Sequence, residues 1–323
     1  MDELHVVLGA GGNIGKAVVD ELVSRDKPVR GVSRSGRVEL PGSVEQAAVD
    51  ALDRGSLAEA LSGAAVVYHC IGVPYPQWAD TLRPVMSNLI EEAAQQVPRT
   101  RVVYADNLYC YGRVGALRGP IREDTPHLAD GKKGRLRSQL IQQLLRADQE
   151  GRLRATIGQG SDFFGPRGDN SILDFFVFQP LMSGRRISIL ADLDREHSFI
   201  YLPDFGRFLV DLAEDDRAYG QVWILPHMEV LTYRELLHRV FQEAGIAPEG
   251  KIRTMSKAVL TVGSFMSRMI REVREVAYQT QIDWVADWSK YRNAIGGEPT
   301  SIGQAIRETL NWYRQQTLAE KTP

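Results

Sequence analysis

The feature that most constrains the fold of this chain is a glycine-rich segment at residues 9–15, Gly-Ala-Gly-Gly-Asn-Ile-Gly. A short apolar run, Val6-Val7-Leu8, comes directly before it, and apolar residues at helical spacing follow it from Ile14 to Leu22. This order predicts a buried strand, a tight turn and an amphipathic helix.

Three glycines of this segment fit the pattern Gly-x-x-Gly-x-x-Gly. Gly9 permits the tight turn off the strand, Gly12 lets the backbone approach a pyrophosphate, and Gly15 lets the helix pack closely on the sheet. The N–H groups and the positive dipole end of the helix would then face the phosphates, with Asn13 and Ile14 completing the loop. The segment therefore predicts a dinucleotide site, and the alternative is a glycine-rich turn that holds no ligand.

Strand and helix patterns alternate through the first part of the chain. Apolar strands are predicted near residues 6–8, 28–32, 44–49, 65–68, 101–104 and 153–157, with helical patterns between them. Fully apolar strands separated by helices are typical of a parallel sheet that is covered on both faces. The predicted fold class is α/β, a Rossmann doubly wound parallel sheet with a smaller, mostly helical C-terminal substrate lobe.

The second half of the chain is less regular. From Leu231 onward it is predicted to be mostly helical, and an apolar stripe from Ala258 to Val273 predicts a helix packed on the small lobe, or alternatively a lid or partner helix. We expect an NAD(P)-binding domain over residues 1–165, with return segments near residues 185–225. Residues 166–323 would form mainly the substrate-binding lobe.

The end of the second predicted strand bears on the choice of dinucleotide. A carboxylate there would bind the ribose hydroxyl of NAD, but this chain has Ser33-Arg34, with Arg37 nearby. A guanidinium binds phosphate through two parallel hydrogen bonds, so the pattern favours the 2′-phosphate of NADP, with NAD as the alternative. Asp50-Ala51-Leu52, at the end of the third predicted strand, is placed to contact adenine.

Charge and composition exclude several classes of partner. The formal net charge is -2, so no strong field points to nucleic acid or to an anionic membrane. No uncharged apolar run reaches the ~18 residues of a membrane span. The two cysteines make no disulfide framework, and the six histidines lack metal-ligand spacing. We expect a cytoplasmic protein with a small-molecule substrate and no metal.

Further segments, together with the glycine loop, place the chain in a known superfamily. These segments are 49–53, 66–72, 88–93, 109–112, 123–126, 162–166 and 199–204. They resemble the extended short-chain dehydrogenase/reductases, specifically the NAD-dependent epimerase/dehydratase family, over most of the chain. The resemblance implies that Cys70, Ile71 and Gly72 line the path of the cofactor's pyrophosphate and nicotinamide ribose, and that residues 160–163 lie near the nicotinamide. A homodimer is a further family-level expectation.

The positions that match the family's catalytic groups differ from the family pattern. Active members carry a serine or threonine after the fifth strand, where this chain has Asp106 and Asn107. They also carry Tyr-x-x-x-Lys on the next helix, and no Tyr-x-x-x-Lys occurs anywhere in these 323 residues. A free phenol titrates near ~10 and needs tuning to exchange protons near neutrality. The resemblance therefore implies an atypical member, with a Lys-Gly-Arg-x-Arg segment in place of the motif.

Three residues at the end of the fifth predicted strand, and a fourth on the following helix, are candidates for the missing groups. Asp106 follows a central strand at the edge where open α/β sheets place their ligands, so it is a candidate general base, or it caps the following turn. Asn107 is a candidate to orient a substrate carbonyl, and Tyr109 is the candidate phenol. Lys133 is a candidate positive charge, although the basic residues around it also fit a solvated helix start.

Two functions remain open at this point. The first is an NAD(P)-dependent oxidoreductase or epimerase that acts on a small carbonyl, hydroxyl or sugar-like substrate with non-standard catalytic residues. The second is a non-catalytic NADP(H)-binding sensor or regulatory protein. The intact glycine loop favours the first, and the exchanged catalytic positions favour the second.

Overall fold

The computed structural model describes most of the chain, namely residues 3–96, 99–113, 119–168, 171–248, 250–254, 272 and 274–319. The predicted apolar stripe from Ala258 to Val273 lies outside these residues. None of the helices in the described part combines the length and the apolar character that crossing a bilayer requires.

Seven strands form one parallel sheet. They are β1 (Leu4–Leu8), β2 (Val29–Ser33), β3 (Glu45–Ala48), β4 (Ala64–His69), β5 (Arg101–Asn107), β6 (Arg154–Gly160) and β11 (Gln221–Ile224). Their order is β11-β6-β5-β4-β1-β2-β3, and Val7 of β1 lies between Gly31 of β2 and Tyr68 of β4. The predicted doubly wound parallel sheet is confirmed. Because the strand order reverses at β1, a crevice opens at the carboxyl ends of β1 and β4, where such sheets bind ligands.

Helices cover both faces of this sheet. They are α1 (Asn13–Ser24), α2 (Arg54–Leu61), α3 (Trp78–Ala93), α4 (Lys132–Gln149) and α6 (Leu202–Glu214). The first and last of these pack on one face over a core that includes Val18 and Phe208, and the other three cover a core that includes Leu89 and Leu140. Helices α1 and α6 approach closely, since a Cβ at Gly206 would lie 2.5 Å from main-chain atoms of Ala17.

The rest of the chain builds a smaller lobe with its own core. Its elements are β7 (Asp162–Phe164), α5 (Gln179–Met182), β8 (Ile187–Ile189), β9 (Glu196–His197), β10 (Phe199–Tyr201), β12 (Leu231–Thr232), α7 (Tyr233–Ala244), β13 (Ile252–Thr254), α8 (Ser289–Ala294) and α9 (Ile302–Ala319). The strands pair two by two, β7 with β10, β8 with β13 and β9 with β12. These strands are only two or three residues long, and among the described residues the part of the lobe after Leu231 is mainly helical, as its pattern predicts.

Two boundaries near the sheet edge differ from the sequence-based expectation. Strand β5 continues through Asn107 instead of ending near Tyr104. The sequence pattern predicts a helix over residues 137–150, but α4 begins earlier, at Lys132. Gly131 provides an extended N-cap there, and the Glu275 carboxylate accepts the N–H of Lys133 at 2.7 Å. Both shifts place charged side chains at the end of the crevice.

Candidate functional site

The glycine loop forms a steric cradle at the start of α1. Gly9 has φ +84°, a conformation that favours glycine, and a Cβ there would lie 2.8 Å from the carbonyl oxygen of Cys70. A Cβ at Gly15 would lie 2.1 Å from the carbonyl oxygen of Gly9. Gly12 adopts extended backbone and is the N-cap of the helix. The loop can therefore bring main-chain atoms close to a ligand only because these positions lack side chains.

The first turn of α1 is suited to an anion. Its N-cap makes no side-chain hydrogen bond, and no acidic residue lies in the turn formed from Asn13 onward. Ile14 packs against the core beneath α1, which keeps the apolar side of the turn away from the crevice. An uncapped helix N-terminus attracts phosphate through its N–H groups and its dipole. A dinucleotide pyrophosphate fits this cradle.

The segment after β4 borders the same crevice. The N–H of Cys70 donates to the Leu8 carbonyl at 2.9 Å, which continues the sheet by one residue beyond the strand. Burial raises the pKa of the Cys70 thiol, so it is a poor nucleophile. Ile71 is half-buried and Gly72 is exposed, with nothing within 4 Å of a Cβ built there. The structure thus brings Cys70 and Ile71, both named from the sequence, next to Gly9, and Gly72 follows them directly.

At the adenosine end, the ends of β2 and β3 carry exposed groups. Ser33 Oγ accepts the Gly36 N–H at 3.1 Å, which shapes the turn after β2. Arg34 and Arg37 are exposed, and their guanidinium groups make no hydrogen bond or ion pair in the part of the chain that the structure describes. They contrast with the chain's many ion-paired arginines and leave two positive charges beside the turn.

The third strand end is held by its neighbour α3. Asn88 Nδ2 donates to the carbonyl oxygens of Ala51 and Leu52, at 3.1 and 3.0 Å. Asp50 Oδ1 accepts the Leu52 N–H at 3.0 Å, and the Leu52 side chain is 45% exposed. The segment predicted to contact adenine is therefore fixed in position, with an apolar side chain facing solvent.

Asp106 lies inside the protein rather than in the crevice. Its side chain is fully buried, with Oδ1 3.2 Å from Nη1 of Arg137 as an ion pair. Gln159 Nε2 donates to its Oδ2 at 3.0 Å, and Gln159 Oε1 in turn accepts from the Tyr111 hydroxyl at 2.7 Å. Burial raises the pKa of the Asp106 carboxyl, and the guanidinium partly offsets this rise.

Arg137 was not singled out as a site residue from the sequence. It donates to the Tyr104 hydroxyl, and its guanidinium carbon lies 4.3 Å from the Trp78 ring centroid. It stands four residues after Lys133 on α4, so the two residues share one helix face, and both are buried. The i, i+4 spacing of two basic residues, the same spacing as in Tyr-x-x-x-Lys, was the available signal.

Asn107 and Tyr109 belong to one short turn after β5. Asn107 Oδ1 accepts the Tyr109 N–H at 3.1 Å, so its side chain caps the turn. The phenol oxygens of Tyr109 and Tyr75 lie 2.8 Å apart. Burial raises the pKa of both phenols, and the negative charge of Asp162 adds to the rise. Of the three catalytic candidates, Tyr109 is the one whose reactive atom forms a hydrogen bond with a second phenol.

Lys133 closes the same edge from α4. Its side chain is 3% exposed, and Nζ lies 2.5 Å from Glu272 Oε2 and 3.0 Å from Glu275 Oε2. The ammonium also lies 5.0 Å from the Tyr75 ring centroid, within the range of a cation–π contact. Two carboxylates from distant sequence therefore neutralise the cation that lies over the Tyr75 ring.

Asp162 follows β6 and faces the small lobe. Its Oδ2 lies 3.0 Å from His197 Nε2 and accepts from the Tyr233 hydroxyl at 3.5 Å. Its side chain keeps 14% of its surface exposed. The resemblance implies that this segment lies near the nicotinamide, and the structure places it where the sheet edge meets the lobe.

A seven-stranded parallel sheet with a glycine cradle at its first strand–helix turn defines the dinucleotide-binding Rossmann class. Within that class, residues 5–224 match the model of the NAD dependent epimerase/dehydratase family, and the chain belongs to that family. A comparison with curated protein sequences finds no match.

Several solved structures are similar along nearly their whole length. The dTDP-glucose 4,6-dehydratase of Bacillus anthracis in complex with NAD is 15% identical, with a TM-score of 0.80 and 97% of each chain covered. The UDP-glucose 4-epimerase of Thermotoga maritima with UDP-glucose is 16% identical, with a TM-score of 0.79, and 97% of this chain and 99% of that chain are covered.

A third similar structure carries both a cofactor and a substrate. The UDP-glucuronic acid 4-epimerase of Bacillus cereus, in complex with UDP-glucuronic acid and NAD, is 16% identical with a TM-score of 0.78. The comparison covers 97% of this chain and 99% of that one. At these identities the likeness shows the fold, and the chemistry has to be argued from this chain's own residues.

Proposed function

We propose that this protein is an NAD(P)-dependent oxidoreductase or epimerase that acts on a small carbonyl, hydroxyl or sugar-like substrate with non-standard catalytic residues. The observation that carries the proposal is the glycine cradle, in which Gly9 and Gly15 leave no room for a Cβ at the uncapped start of α1. The phenol pair and Asp162 lie at the other end of the same sheet edge. Substrate would bind between this edge and the small lobe.

The cofactor would be NADP, with NAD as the alternative. Arg34 and Arg37 are exposed cations without a protein partner among the described residues, beside the strand end that faces the adenosine ribose in this fold. A guanidinium suits a phosphate dianion better than a neutral hydroxyl. The similar structures that contain a dinucleotide contain NAD, so the preference rests on these two arginines alone.

When bound, a nicotinamide cofactor supplies the hydride acceptor or donor. The chain must then hold or move one proton at the substrate oxygen. Tyr109 is our candidate general acid, because its hydroxyl lies 2.8 Å from that of Tyr75 and can give a proton to the substrate oxygen while it takes one from Tyr75. The raised pKa of both phenols keeps them protonated, which suits an acid rather than a base. Asn107 would support it by capping the turn that carries it. Asp106 has no exposed side-chain surface, so we give it no direct contact with substrate.

A non-catalytic NADP(H)-binding sensor or regulatory protein is the second candidate. It is favoured because the charged side chains at the β5 and α4 end of the crevice are paired with opposite charges of the protein. The ammonium of Lys133 is bound by Glu272 and Glu275, and the carboxylate of Asp106 is bound by Arg137. Such mutual pairing leaves few free charges for chemistry. A cytoplasmic location and a homodimer remain proposals that rest on composition and family membership.

Calorimetry with NADP+, NADPH, NAD+ and NADH on the purified chain tests the first step. We expect binding of at least one of them, with the NADP forms tighter, and no binding at millimolar levels would remove both candidates. Incubation with UDP-glucose, dTDP-glucose and UDP-glucuronic acid, followed by NMR and by absorbance of the reduced nicotinamide, separates the two. Turnover that Tyr109→Phe abolishes supports the enzyme, whereas tight cofactor binding without turnover of any of them favours the sensor.

A further inference from the structure

The ion pair between Asp106 and Arg137 is the most deeply buried charge pair at the sheet edge. The two side chains are 0% and 9% exposed, with 3.2 Å between their closest charged atoms. Taking a single charge out of water carries a large desolvation cost that a nearby opposite charge offsets. Each of these residues is therefore tolerated at its position because the other is present.

The protein supplies further partners to the pair, although Asp106 Oδ1 and Arg137 Nε are buried without a hydrogen-bond partner among the described residues. Gln159 holds the second carboxylate oxygen of Asp106, and the hydroxyl of Tyr104 accepts from Arg137. The guanidinium lies over the ring of Trp78, a favourable stack for a planar cation. Asp106 has no exposed side-chain surface and Arg137 keeps only 9%, so we give neither of them a direct contact with substrate.

The pair links β5 to α4 one helical turn beyond Lys133. Gly134, which lies between the two basic residues, packs against the turn after β5, since a Cβ there would come within 2.4 Å of the Tyr109 carbonyl oxygen. Residues four apart share a helix face, so the link at Arg137 also orients Lys133. The distance between the Lys133 ammonium and the phenol pair thus depends on how the first turn of α4 is held.

We propose that Asp106 and Arg137 are positioning residues that form one compensating pair, which docks the first turn of α4 onto β5 and so places the Lys133 ammonium over the ring of Tyr75. The catalytic meaning of this placement rests on the proposed function, whereas the mutual dependence of the two residues does not. Asp106 on β5 and Arg137 on α4 both stand where the sequence differs from the family pattern. In this proposal the two differences are one linked change, because each charge needs the other.

A double-mutant cycle tests the mutual dependence. The variants are Asp106→Leu, Arg137→Met and the double variant, each unfolded with urea at pH 7. We expect each single change to lower the urea midpoint by about 1 M or more, because one buried charge loses its partner. The double variant should recover at least half of that loss. Arg146→Met and Glu150→Gln, which disrupt an exposed pair on the same helix, should leave the midpoint unchanged.

The positioning role has its own measurement. Acetylation of individual lysines by acetic anhydride, followed by mass spectrometry, should show Lys133 reacting at least tenfold faster in Arg137→Met. Lys290, whose Nζ donates to the Val222 carbonyl at 2.7 Å in another part of the molecule, serves as the internal control and should not change. The conservative Arg137→Lys should keep the rate at Lys133 within about twofold of the unmodified chain, because the charge opposite Asp106 remains.

Several results would overturn the proposal. One is additive destabilisation, in which the double variant loses as much as both single variants together. Another is a parallel rise in the reactivity of Lys133 and Lys290, which indicates general loosening. If Arg137→Met does not fold, the double variant and Arg137→Lys carry the test, and a double variant that also fails to fold overturns it. Absence of dinucleotide binding by the unmodified chain would remove the proposed function while leaving this cycle interpretable.

Discussion

The two ends of the crevice differ in whether main-chain or side-chain atoms form their surface. At the glycine loop the main chain itself forms the surface, and positions 9, 12 and 15 carry no side chain. At the ends of β5 and α4, side chains fill the space, and Asp106, Lys133 and Tyr109 are each held by another side chain. A main-chain site is encoded by adjacent residues, whereas a site of paired side chains depends on residues that the fold brings together. The glycine loop can therefore be recognised in a sequence, whereas the paired side chains at the other end can be identified only in the three-dimensional structure.

Gly15→Ala should reduce dinucleotide binding more than any other change considered. A small reduction would contradict the view that the main chain forms this end of the crevice. Its Cβ would lie 2.1 Å from the Gly9 carbonyl oxygen, so either the loop or the helix must move. We expect dinucleotide affinity in calorimetry to fall by more than about 100-fold, because each tenfold loss needs only ~1.4 kcal/mol, together with a lower melting temperature. Gly42→Ala is the matched control, since a Cβ there meets nothing within 4 Å.

Arg137→Met, at the side-chain end of the crevice, should lower the free energy of unfolding by about 3–5 kcal/mol at pH 8. The loss should be smaller at pH 5. Burial raises the pKa of the Asp106 carboxyl in the folded state, and removing the guanidinium raises that pKa further. A carboxyl with a raised folded-state pKa gains stability as the pH falls, because the folded state then binds the proton more tightly than the unfolded state. Urea unfolding at the two pH values measures this, and an equal loss at both would contradict it.

His69→Phe should change the acid sensitivity of the same end by a smaller amount. Burial lowers the pKa of His69 to about 3, and its ring stacks on Tyr104 with centroids 5.1 Å apart. Below the ordinary pKa of histidine, the unfolded state binds a proton that the folded state excludes, so stability falls as the pH drops toward 3. The slope is up to about 1.4 kcal/mol per pH unit.

The phenylalanine variant keeps the stacked ring and removes the titration. We therefore expect its unfolding free energy to fall less steeply than that of the unmodified chain between pH 6.5 and pH 4. Unfolding curves measured at intervals across that range provide the comparison. Identical slopes would show that His69 does not contribute to the acid sensitivity.

Arg34→Ala should give the smallest effect, confined to the open end. We expect NADP+ to bind about tenfold more weakly, which corresponds to ~1.4 kcal/mol for one charge-assisted contact, and NAD+ to bind unchanged. Calorimetry with both dinucleotides measures the difference, and the control is Arg146→Ala, a change at an exposed residue of α4. An equal loss for both dinucleotides would mean that Arg34 does not read the 2′-phosphate.

The sequence predicted the parallel sheet and the glycine cradle because both follow from local pattern. Periodicity identified the strands, and Gly9 and Gly15 have steric roles that need no distant information. It did not predict that Asp106 is buried against Arg137, since a strand position and a helix position 31 residues later meet only in the fold. Neither could it assign Glu272 and Glu275 to Lys133, because that contact spans about 140 residues. Charged residues that pair across such distances in sequence produce no periodic pattern from which the pair could be predicted.

The close approach of α6 to α1 has a consequence for biosynthesis. Gly206 lies against Ala17, and β11 completes the sheet only when residues 221–224 pair with β6. A growing polypeptide that has left the ribosome only as far as β6 therefore exposes one flank of its first helix and an unpaired sheet edge. Such a partly synthesised chain is a natural client for chaperones, because unpaired edges and bare apolar faces promote aggregation. We therefore expect the N-terminal half to complete its packing only after the segment through residue 224 has been synthesised.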